Sequence, residues 1–181
     1  MNLVYQIPNK LYYLTQVFDY HTYKQLHHEA FKSKNIKLEP VTKNNFWNPN
    51  LLKNLKNCPD SSFLNPNHPI LEKLKNILSD NSYIKIDCSK IYYQMHSMRN
   101  NAGINWHNDV GHDYGITYYI NRRWNHEFGG EFLFTDESSN GFIPVIGNSM
   151  VILKSPFQHK VTPVLNSIVP RKTIQMFIPS A

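Results

Sequence analysis

The apolar positions near the start of the chain repeat with a helical period in two segments. The first predicts a helix from about residue 20 to residue 32, which Asp19 is suited to cap. Pro69, a residue type favoured at the first helical position, begins a second helix that ends near residues 79–81. Both helices carry an apolar stripe, so we expect them to pack on one sheet. The stripes contain Tyr23, Leu26 and Ala30, and then Ile70, Leu71, Leu74, Ile77 and Leu78.

The other residues before position 83 predict little regular structure. Leu3 to Ile7 is expected to form a short strand. Residues 34–50 are polar, contain Pro40 and Pro49, and are expected to form a loop. Residues 51–55 are expected to form a helical turn.

From Tyr83 onward the period changes to that of strands, with β-branched and aromatic residues dominating. Helices followed by strands favour a mainly β protein with N-terminal helices. The fold that fits this order is an eight-stranded double sheet of jelly-roll, cupin-like type, the double-stranded β-helix. Aromatic residues such as Tyr92, Tyr93 and Tyr118 are expected to pack in its core. The predicted strands cover residues 83–87, 91–96, 116–121, 131–134, 149–153, 159–164 and 171–177.

The composition is that of one folded domain. A length of 181 residues with 41% apolar residues suffices for one core. We expect a single catalytic domain over residues 1–181, with 1–82 as helical support and first strand and 83–181 as the double-stranded β-helix core. No membrane span and no secretory signal are recognisable, which predicts a cytoplasmic protein. Cys58 and Cys88 are too few for a disulfide framework, and Cys88 is expected to pack within a strand.

The charge indicates an acidic partner only weakly. The formal net charge is +6 and the pI is about 9.2, but the lysines are scattered along the chain. A solvated helical surface explains this distribution better than a nucleic-acid patch does. Oligomeric state leaves no signal in the sequence.

The most specific chemical signal is His107-Asn108-Asp109 with His159 about fifty residues later. In an extended segment the first and third side chains project to the same side, so His107 and Asp109 can act together while Asn108 turns away. His159 must then come from a different strand. Two imidazoles and one carboxylate on one face of iron(II) leave the other face open for substrates and oxygen.

Arg171 follows His159 at a short strand's length and can hold a carboxylate through a bidentate fork. Lys172, one position along the same strand, should point to the opposite face. The remaining histidines are expected to lie at the surface or to make ordinary hydrogen bonds. They include His27, His28, His96, His112 and His126.

The second half of the chain resembles the prolyl hydroxylase-like branch of the 2-oxoglutarate/iron(II) oxygenases over roughly residues 83–178. The family's ordered motifs are a histidine-x-aspartate, a strand with a tyrosine pair before a tryptophan, a Gly-Gly strand start, a distal histidine and a late basic residue. Here they read His107-Asn108-Asp109, Tyr118-Tyr119-Ile120-Asn121 with Trp124, Gly129-Gly130, His159 and Arg171.

The resemblance implies roles for these residues. His107, Asp109 and His159 would hold Fe(II), and Arg171 would bind the distal carboxylate of the co-substrate 2-oxoglutarate. Tyr119, the second tyrosine of the pair, would add a hydroxyl to that carboxylate. Oxygen would be consumed, and ascorbate would support turnover. Trp106 would either line the substrate channel or pack under the barrel mouth.

The resemblance leaves the substrate open. Hydroxylation is favoured because related halogenases lack the carboxylate that Asp109 provides. The preferred substrate is a protein side chain such as a peptidyl proline, and a free amino acid or other small molecule is the alternative. Nucleic acid is disfavoured because demethylases usually carry a second arginine after the co-substrate one, and Arg171 is the last arginine here. A non-catalytic jelly-roll module that binds metal or ligand is the alternative of another class.

Overall fold

The fold is known from a computed structural model that describes residues 1–32, 36–44, 47–84, 86–137 and 139–180. The helices are α1, Tyr20–Lys32, and α2, Pro69–Asp80. The strands are β1, Asn2–Ile7; β2, Leu11–Thr15; β3, Glu39–Pro40; β4, Asp60–Phe63; β5, Tyr92–Met98; β6, Ile104–His107; β7, His112–Tyr119; β8, Phe132–Thr135; β9, Asn140–Ile143; β10, Ser149–Lys154; β11, Gln158–Val161; and β12, Arg171–Pro179.

The strands form two antiparallel sheets. The major sheet has the order β1-β2-β10-β7-β12-β5-β4-β3, and the minor sheet has the order β6-β11-β8-β9. Two facing sheets with chain crossings between them are the arrangement of the double-stranded β-helix, so the predicted fold class is confirmed. Strands from the first 82 residues extend the major sheet at both of its edges.

Two hydrophobic cores lie on opposite faces of the major sheet. One is formed with α1 and α2, as the apolar stripes of the helices predict, and the other fills the space between the sheets. Successive residues of β7 show the division, because Tyr118 packs under the helices and Tyr119 faces the minor sheet. Tyr93 also packs in the helical core, as predicted.

The helix boundaries follow from local capping. The Asp19 carboxylate accepts a hydrogen bond from the backbone N–H of Thr22 at 3.0 Å and begins α1. α2 begins at Pro69, and the His68 ring accepts from the N–H of Ile70 at 3.3 Å. Among the described residues, no helix is long and apolar enough to cross a membrane.

The predicted strand at 83–87 is wrong for the residues described there; Lys85 lies outside them. The Asn81 side-chain oxygen accepts from the N–H groups of Tyr83 and Ile84, so these donors make a turn and not a ladder. Cys88 is buried as expected, but it lies in this irregular segment and not in a strand.

Several short strands were not predicted. The predicted loop 34–50 contains β3 and a 3-10 turn at Val41–Asn44, with residues 34, 35, 45 and 46 outside the described part. The helical turn lies at Pro49–Leu52 rather than at 51–55. β2 was missed because its sequence, Leu11 to Thr15, is almost wholly buried and lacks alternation.

Candidate active site

Two histidines on neighbouring strands meet an aspartate in the space between the sheets. β6 ends at His107, and β11 places His159 directly opposite, so the ring centroids lie 4.1 Å apart. Asp109 follows two residues after the end of β6. Its two carboxylate oxygens each lie 3.7 Å from one of the histidine Nε2 atoms. One donor atom from each residue falls within 4.8 Å of the others, a spacing that a first-row divalent cation can bridge.

Both imidazoles present the same nitrogen to the cluster. Nδ1 of His107 lies 2.7 Å from the carbonyl oxygen of Asn105, and Nδ1 of His159 lies 2.8 Å from that of Phe157. A carbonyl accepts only, so each Nδ1 carries the hydrogen and each Nε2 keeps a free lone pair. Backbone bonds of this kind fix the tautomer and ring orientation of metal-binding histidines.

Burial keeps the His159 ring neutral. Desolvation, with a contribution from His107, lowers the pKa of His159, and the Asp109 charge opposes this only partly. Phe132 stacks on the same ring at 5.1 Å and 20°. A neutral imidazole is the form that donates to a metal.

Asp109 has close constraints on its position. Its carbonyl oxygen accepts from Ser155 Oγ at 3.0 Å and from the N–H of His112 at 3.3 Å. The carboxylate of Asp109 lies over Gly115 of β7, and a Cβ atom at residue 115 would clash with it.

Arg171 lies deep between the sheets and forms no ion pair within 4 Å in the described part of the chain. It is 1% exposed, and its Nε and Nη2 atoms have no hydrogen-bond partner among the described residues. Its Nη1 points to the sulfur of Met98 at 3.7 Å, and the guanidinium carbon lies 5.1 Å from the ring centre of Tyr119. Burial lowers the pKa of Arg171, while Tyr119 and Glu131 oppose the shift.

Tyr119 shares this buried environment. It is fully buried, its hydroxyl interacts with the Arg171 guanidinium, and burial raises its pKa to about 12 although Arg171 opposes the shift. The hydroxyl is therefore a neutral donor beside a cation. Lys172 points the other way, as alternation predicts, and donates to the carbonyl of Ala30 at 2.6 Å.

Gly130 makes room for the arginine. Its φ is +76°, and a Cβ there would lie 2.8 Å from Cδ of Arg171. Between Arg171 and Gly115 the sheet floor is polar. Thr117 Oγ1 donates to Gln175 Oε1 at 2.8 Å, and Gln175 Nε2 donates to Thr173 Oγ1 at 2.9 Å. These groups satisfy one another, whereas Nε and Nη2 of Arg171 have no geometric hydrogen-bond partner among the described residues.

The metal-binding candidates line an open cavity of about 570 Å³. Trp106 lies at its edge, 45% exposed, with the Lys160 ammonium 5.5 Å from its ring centre. Of the two alternatives for Trp106, channel lining is therefore the one observed. Tyr92 also lines the cavity, so the expectation that it packs in the core is wrong. Its hydroxyl lies 2.6 Å from Nε2 of His112, which is partly buried.

Sequence reasoning missed a second group on the cavity wall. His96 of β5 is 2% exposed and donates from Nε2 to Gln94 Oε1 at 3.0 Å, while its Nδ1 has no partner among the described residues. Burial and the Arg171 charge lower the pKa of His96 to about 3. Alternation along β5 carried the signal, because it places Tyr92, Gln94 and His96 on one face.

Comparison with known proteins agrees with this geometry. Residues 93–179 match the model of the 2OG-Fe(II) oxygenase superfamily. No curated protein sequence matches the chain. Solved structures share the fold of this chain at low sequence identity. Such similarity establishes the fold but does not identify the substrate.

Three of these structures illustrate the range. A prolyl-4-hydroxylase from Pseudomonas putida has a TM-score of 0.73 and 11% identity, with 94% of this chain and 93% of that chain covered. A prolyl hydroxylase from Trichoplax adhaerens, in complex with a hypoxia inducible factor peptide fragment, has a TM-score of 0.69 and 14% identity. The match covers 94% of this chain and 84% of that chain. The α-ketoglutarate-dependent epimerase SnoN from nogalamycin biosynthesis has a TM-score of 0.66 and 9% identity, and the match covers 94% of this chain and 78% of that chain.

Residues 93–179, just under half of the chain, match a 2OG-Fe(II) oxygenase domain, and the fold agrees with that match. The protein is therefore an oxygenase of the class that uses Fe(II), 2-oxoglutarate and O2. The alternative of a non-catalytic jelly-roll module is not retained.

Proposed function

We propose that the protein hydroxylates a C–H bond of a protein side chain, with peptidyl proline as the leading substrate. In this proposal His107, Asp109 and His159 hold Fe(II), and Arg171 with Tyr119 holds the distal carboxylate of 2-oxoglutarate. One observation carries the proposal: a fully buried guanidinium, which forms no ion pair within 4 Å among the described residues, lies between the same two sheets as a three-donor metal cluster.

The metal assignment is supported by the donor set. Two neutral imidazole nitrogens and one carboxylate form the facial triad of non-haem iron(II) oxygenases. The fixed tautomers of His107 and His159 leave both Nε2 atoms available without reorganisation. Among the described residues, His107, Asp109 and His159 form the one group of three or more potential metal ligands.

The co-substrate assignment is supported by an energetic argument. Burying a charge without a partner is costly, and proteins tolerate it mainly where a ligand supplies the opposite charge. A carboxylate can accept from the free Nε and Nη2 of Arg171 and from the Tyr119 hydroxyl. A second carboxylate could then extend over the polar floor toward the metal cluster.

Each part of the chain has a separate task in this chemistry. When bound, iron with 2-oxoglutarate and O2 supplies the oxidant that inserts one oxygen into a C–H bond, and 2-oxoglutarate leaves as carbon dioxide and succinate. Arg171 and Tyr119 orient the dicarboxylate by one end. Phe132 and the interior core exclude water behind His159. The cavity edge selects the substrate carbon.

A protein substrate is favoured by the shape of the entrance. The cavity is open, and its edge carries partly exposed rings, including Trp106 and Tyr92. Such rings give the large rigid contact area that peptide-binding clefts use. Two similar structures are prolyl hydroxylases, one of them with a bound peptide fragment.

A small-molecule substrate is the second candidate. A cavity of about 570 Å³ lies within the range of small-ligand sites, and SnoN shares the fold. The two candidates differ in whether the modified carbon belongs to a polypeptide.

Mass spectrometry with the reconstituted enzyme tests the proposal. The purified protein would be incubated with Fe(II), 2-oxoglutarate, ascorbate and O2 against a proline-containing peptide library, with matched alanine peptides and a metabolite extract as parallel arms. We expect a gain of one oxygen on proline peptides with equal formation of succinate, and neither with Asp109→Ala. Oxygen gained only in the metabolite arm would assign a small-molecule substrate. Absence of succinate in every arm would overturn the proposed chemistry.

A further inference from the structure

A basic surface lies at the opposite end of β7 from the metal cluster. Gly115, beneath Asp109, is the fourth of the eight residues of β7, and Arg122 and Arg123 follow the end of that strand. The four steps from Gly115 to Tyr119 span about 13 Å in a strand. The two arginines are therefore well separated from the metal ligands, and they follow Tyr119, whose side chain faces the space between the sheets.

The two arginines separate adjoining cavities, which we call together the Arg122–Arg123 groove. One cavity of about 340 Å³ is lined by His27, Phe31, Asn121, Arg122, Arg123 and Val169. The other, of about 550 Å³, is lined by the arginines with Trp124, Asn125, Phe128, Val145, Ile146 and Gly147. Because both arginines line both cavities, the two depressions adjoin on one surface.

Arg122 and Arg123 line the groove, and Lys172 lies beside it with its ammonium over the Phe31 ring. Within the described ranges, no ion pair within 4 Å involves Arg122, Arg123 or Lys172. The pKa of His27 is lowered by burial and then by Arg122, His28 and Lys172. Like charges so close together raise the local positive potential, which favours an anionic partner.

The aromatic rings around the groove are already engaged. Phe31 stacks with the His27 ring at 4.7 Å, and the Lys172 ammonium lies 4.6 Å from its ring centre. Tyr20 has Arg122 over its ring at 5.7 Å and accepts a hydrogen bond from Nη2 at 3.1 Å. Binding of single-stranded nucleic acid relies on free ring faces for base stacking, so this surface suits it poorly.

Exposed aliphatic side chains instead border the arginines. Ile146 is 45% exposed and Val169 is 40% exposed, and each lines one of the two cavities. In the same loop as Val169, Ile168 is 96% exposed. A partner that meets both features carries carboxylates and aliphatic side chains along one segment.

We propose that the Arg122–Arg123 groove docks an acidic, aliphatic segment of a protein partner. The groove holds that segment at a distance from the metal cluster, so it acts as a docking site and not as part of the catalytic cavity. The docking site deepens the proposed function. It rests on that function in one respect, namely that the docked partner is the protein substrate.

Fluorescence anisotropy with defined probes tests the docking site without turnover. The main probe is a labelled peptide of Asp-Leu-Ser repeats, and the comparison probes are Asn-Leu-Ser repeats, Asp-Ser-Ser repeats and oligouridylate. We expect the Asp-Leu-Ser peptide to bind best and to weaken with salt, since screening is strong beyond about 8–10 Å at physiological ionic strength. Combined Arg122→Glu and Arg123→Glu should weaken binding by about tenfold or more.

A matched variant controls for net charge. Lys90→Glu with Lys154→Glu makes the same charge change at exposed positions outside the groove, and it should reduce binding much less. Succinate formation from 2-oxoglutarate alone should be unchanged in both double variants.

Three outcomes overturn the docking site: no binding of the Asp-Leu-Ser peptide, equal loss in the two double variants, or tighter binding of oligouridylate at the same arginines. The last outcome would assign the groove to nucleic acid. Each of them leaves the oxygenase proposal untouched, because no probe is a turnover substrate. Failure to form succinate leaves the docking measurement valid.

Discussion

Gly115 and Asp109 share one small volume: a Cβ atom on residue 115 would clash with Oδ2 of the Asp109 carboxylate. The backbone of Gly115 is not in the left-handed region, so space and not conformational freedom requires glycine there. Asp109 lies outside the strands, in the turn between β6 and β7, and it reaches the two histidines over the floor of the major sheet. The missing side chain of Gly115 therefore leaves the space that the Asp109 carboxylate occupies.

Substitution of Gly115 by alanine should displace that carboxylate and weaken metal binding. Loss of a group that positions a metal ligand typically costs about 10- to 100-fold in affinity, and we expect a loss in this range. Calorimetric titration with Mn(II), as a redox-inert substitute for Fe(II), measures the effect. Thermal unfolding of the metal-free variant controls for a folding defect. Unchanged affinity would show that the carboxylate does not need this space.

Direct removal of the proposed ligands should have a larger effect. His107→Ala, Asp109→Ala and His159→Ala should each abolish measurable Mn(II) binding and succinate formation. His112→Ala is the matched control, because its ring bonds to the Tyr92 hydroxyl and not to the cluster. Metal binding retained by the His159 variant and lost by the His112 variant would reassign the third ligand.

Short-range rules predicted much of this site. Alternation correctly assigned Arg171 and Lys172 to opposite faces of β12, and Tyr118 packs in the core as expected. His107 and Asp109 were expected to meet from one extended segment; their side chains do lie close together, but Asp109 lies in the turn after β6 and not in the strand. These rules work because side-chain direction in a strand depends on local geometry.

Long-range pairing could not be predicted in the same way. The opposition of His107 and His159 depends on the register of β6 against β11, which strands distant in sequence determine together. The contact of Tyr92 with His112 depends on β12 lying between β5 and β7. The clustering of Arg122 and Arg123 with Lys172 is likewise invisible in a sequence where the cations look scattered.

His96 should make the metal-free protein less stable in acid. Its pKa in the folded state is about 3, whereas an unperturbed histidine titrates near 6.5, so the unfolded chain binds a proton that the folded chain does not. Stability from this group is therefore present above about pH 6.5 and is lost as the pH falls toward 3. The slope should approach about 1.4 kcal/mol per pH unit inside that window.

Urea unfolding of the wild type and of His96→Gln at several pH values isolates this contribution. The groups that face His96 are Arg171, Gln94 and the Trp47 ring, and they are common to both proteins. His159 also titrates in both, so it cancels in the difference. The variant should show the shallower dependence between pH 6 and 4. Parallel curves would mean that the imidazole is charged, or solvated, in the folded protein.

Substitutions of Arg171 should weaken 2-oxoglutarate binding, whereas removal of its buried charge should not lower the free energy of unfolding. Truncating one partner of a buried charge pair costs about 2–5 kcal/mol, so Arg171→Ala should weaken 2-oxoglutarate binding by roughly 30- to several-thousand-fold while leaving Mn(II) binding nearly intact. Arg171→Lys should restore affinity only in part, because an ammonium lacks the planar fork. Tyr119→Phe removes one neutral hydrogen bond and should cost about 0.5–1.5 kcal/mol.

Arg171→Met provides the sharper test, because it keeps much of the side-chain volume and removes the charge. A charge that is fully buried without a partner opposes folding, so the free energy of unfolding without 2-oxoglutarate should stay equal or rise, by up to about 1–4 kcal/mol. The same variant should lose 2-oxoglutarate binding. Lys172→Ala is the matched control on the opposite face of β12, and its 2-oxoglutarate affinity should be unchanged. If Arg171→Met were strongly destabilised and still bound 2-oxoglutarate, the guanidinium would have a structural role and the carboxylate would bind elsewhere.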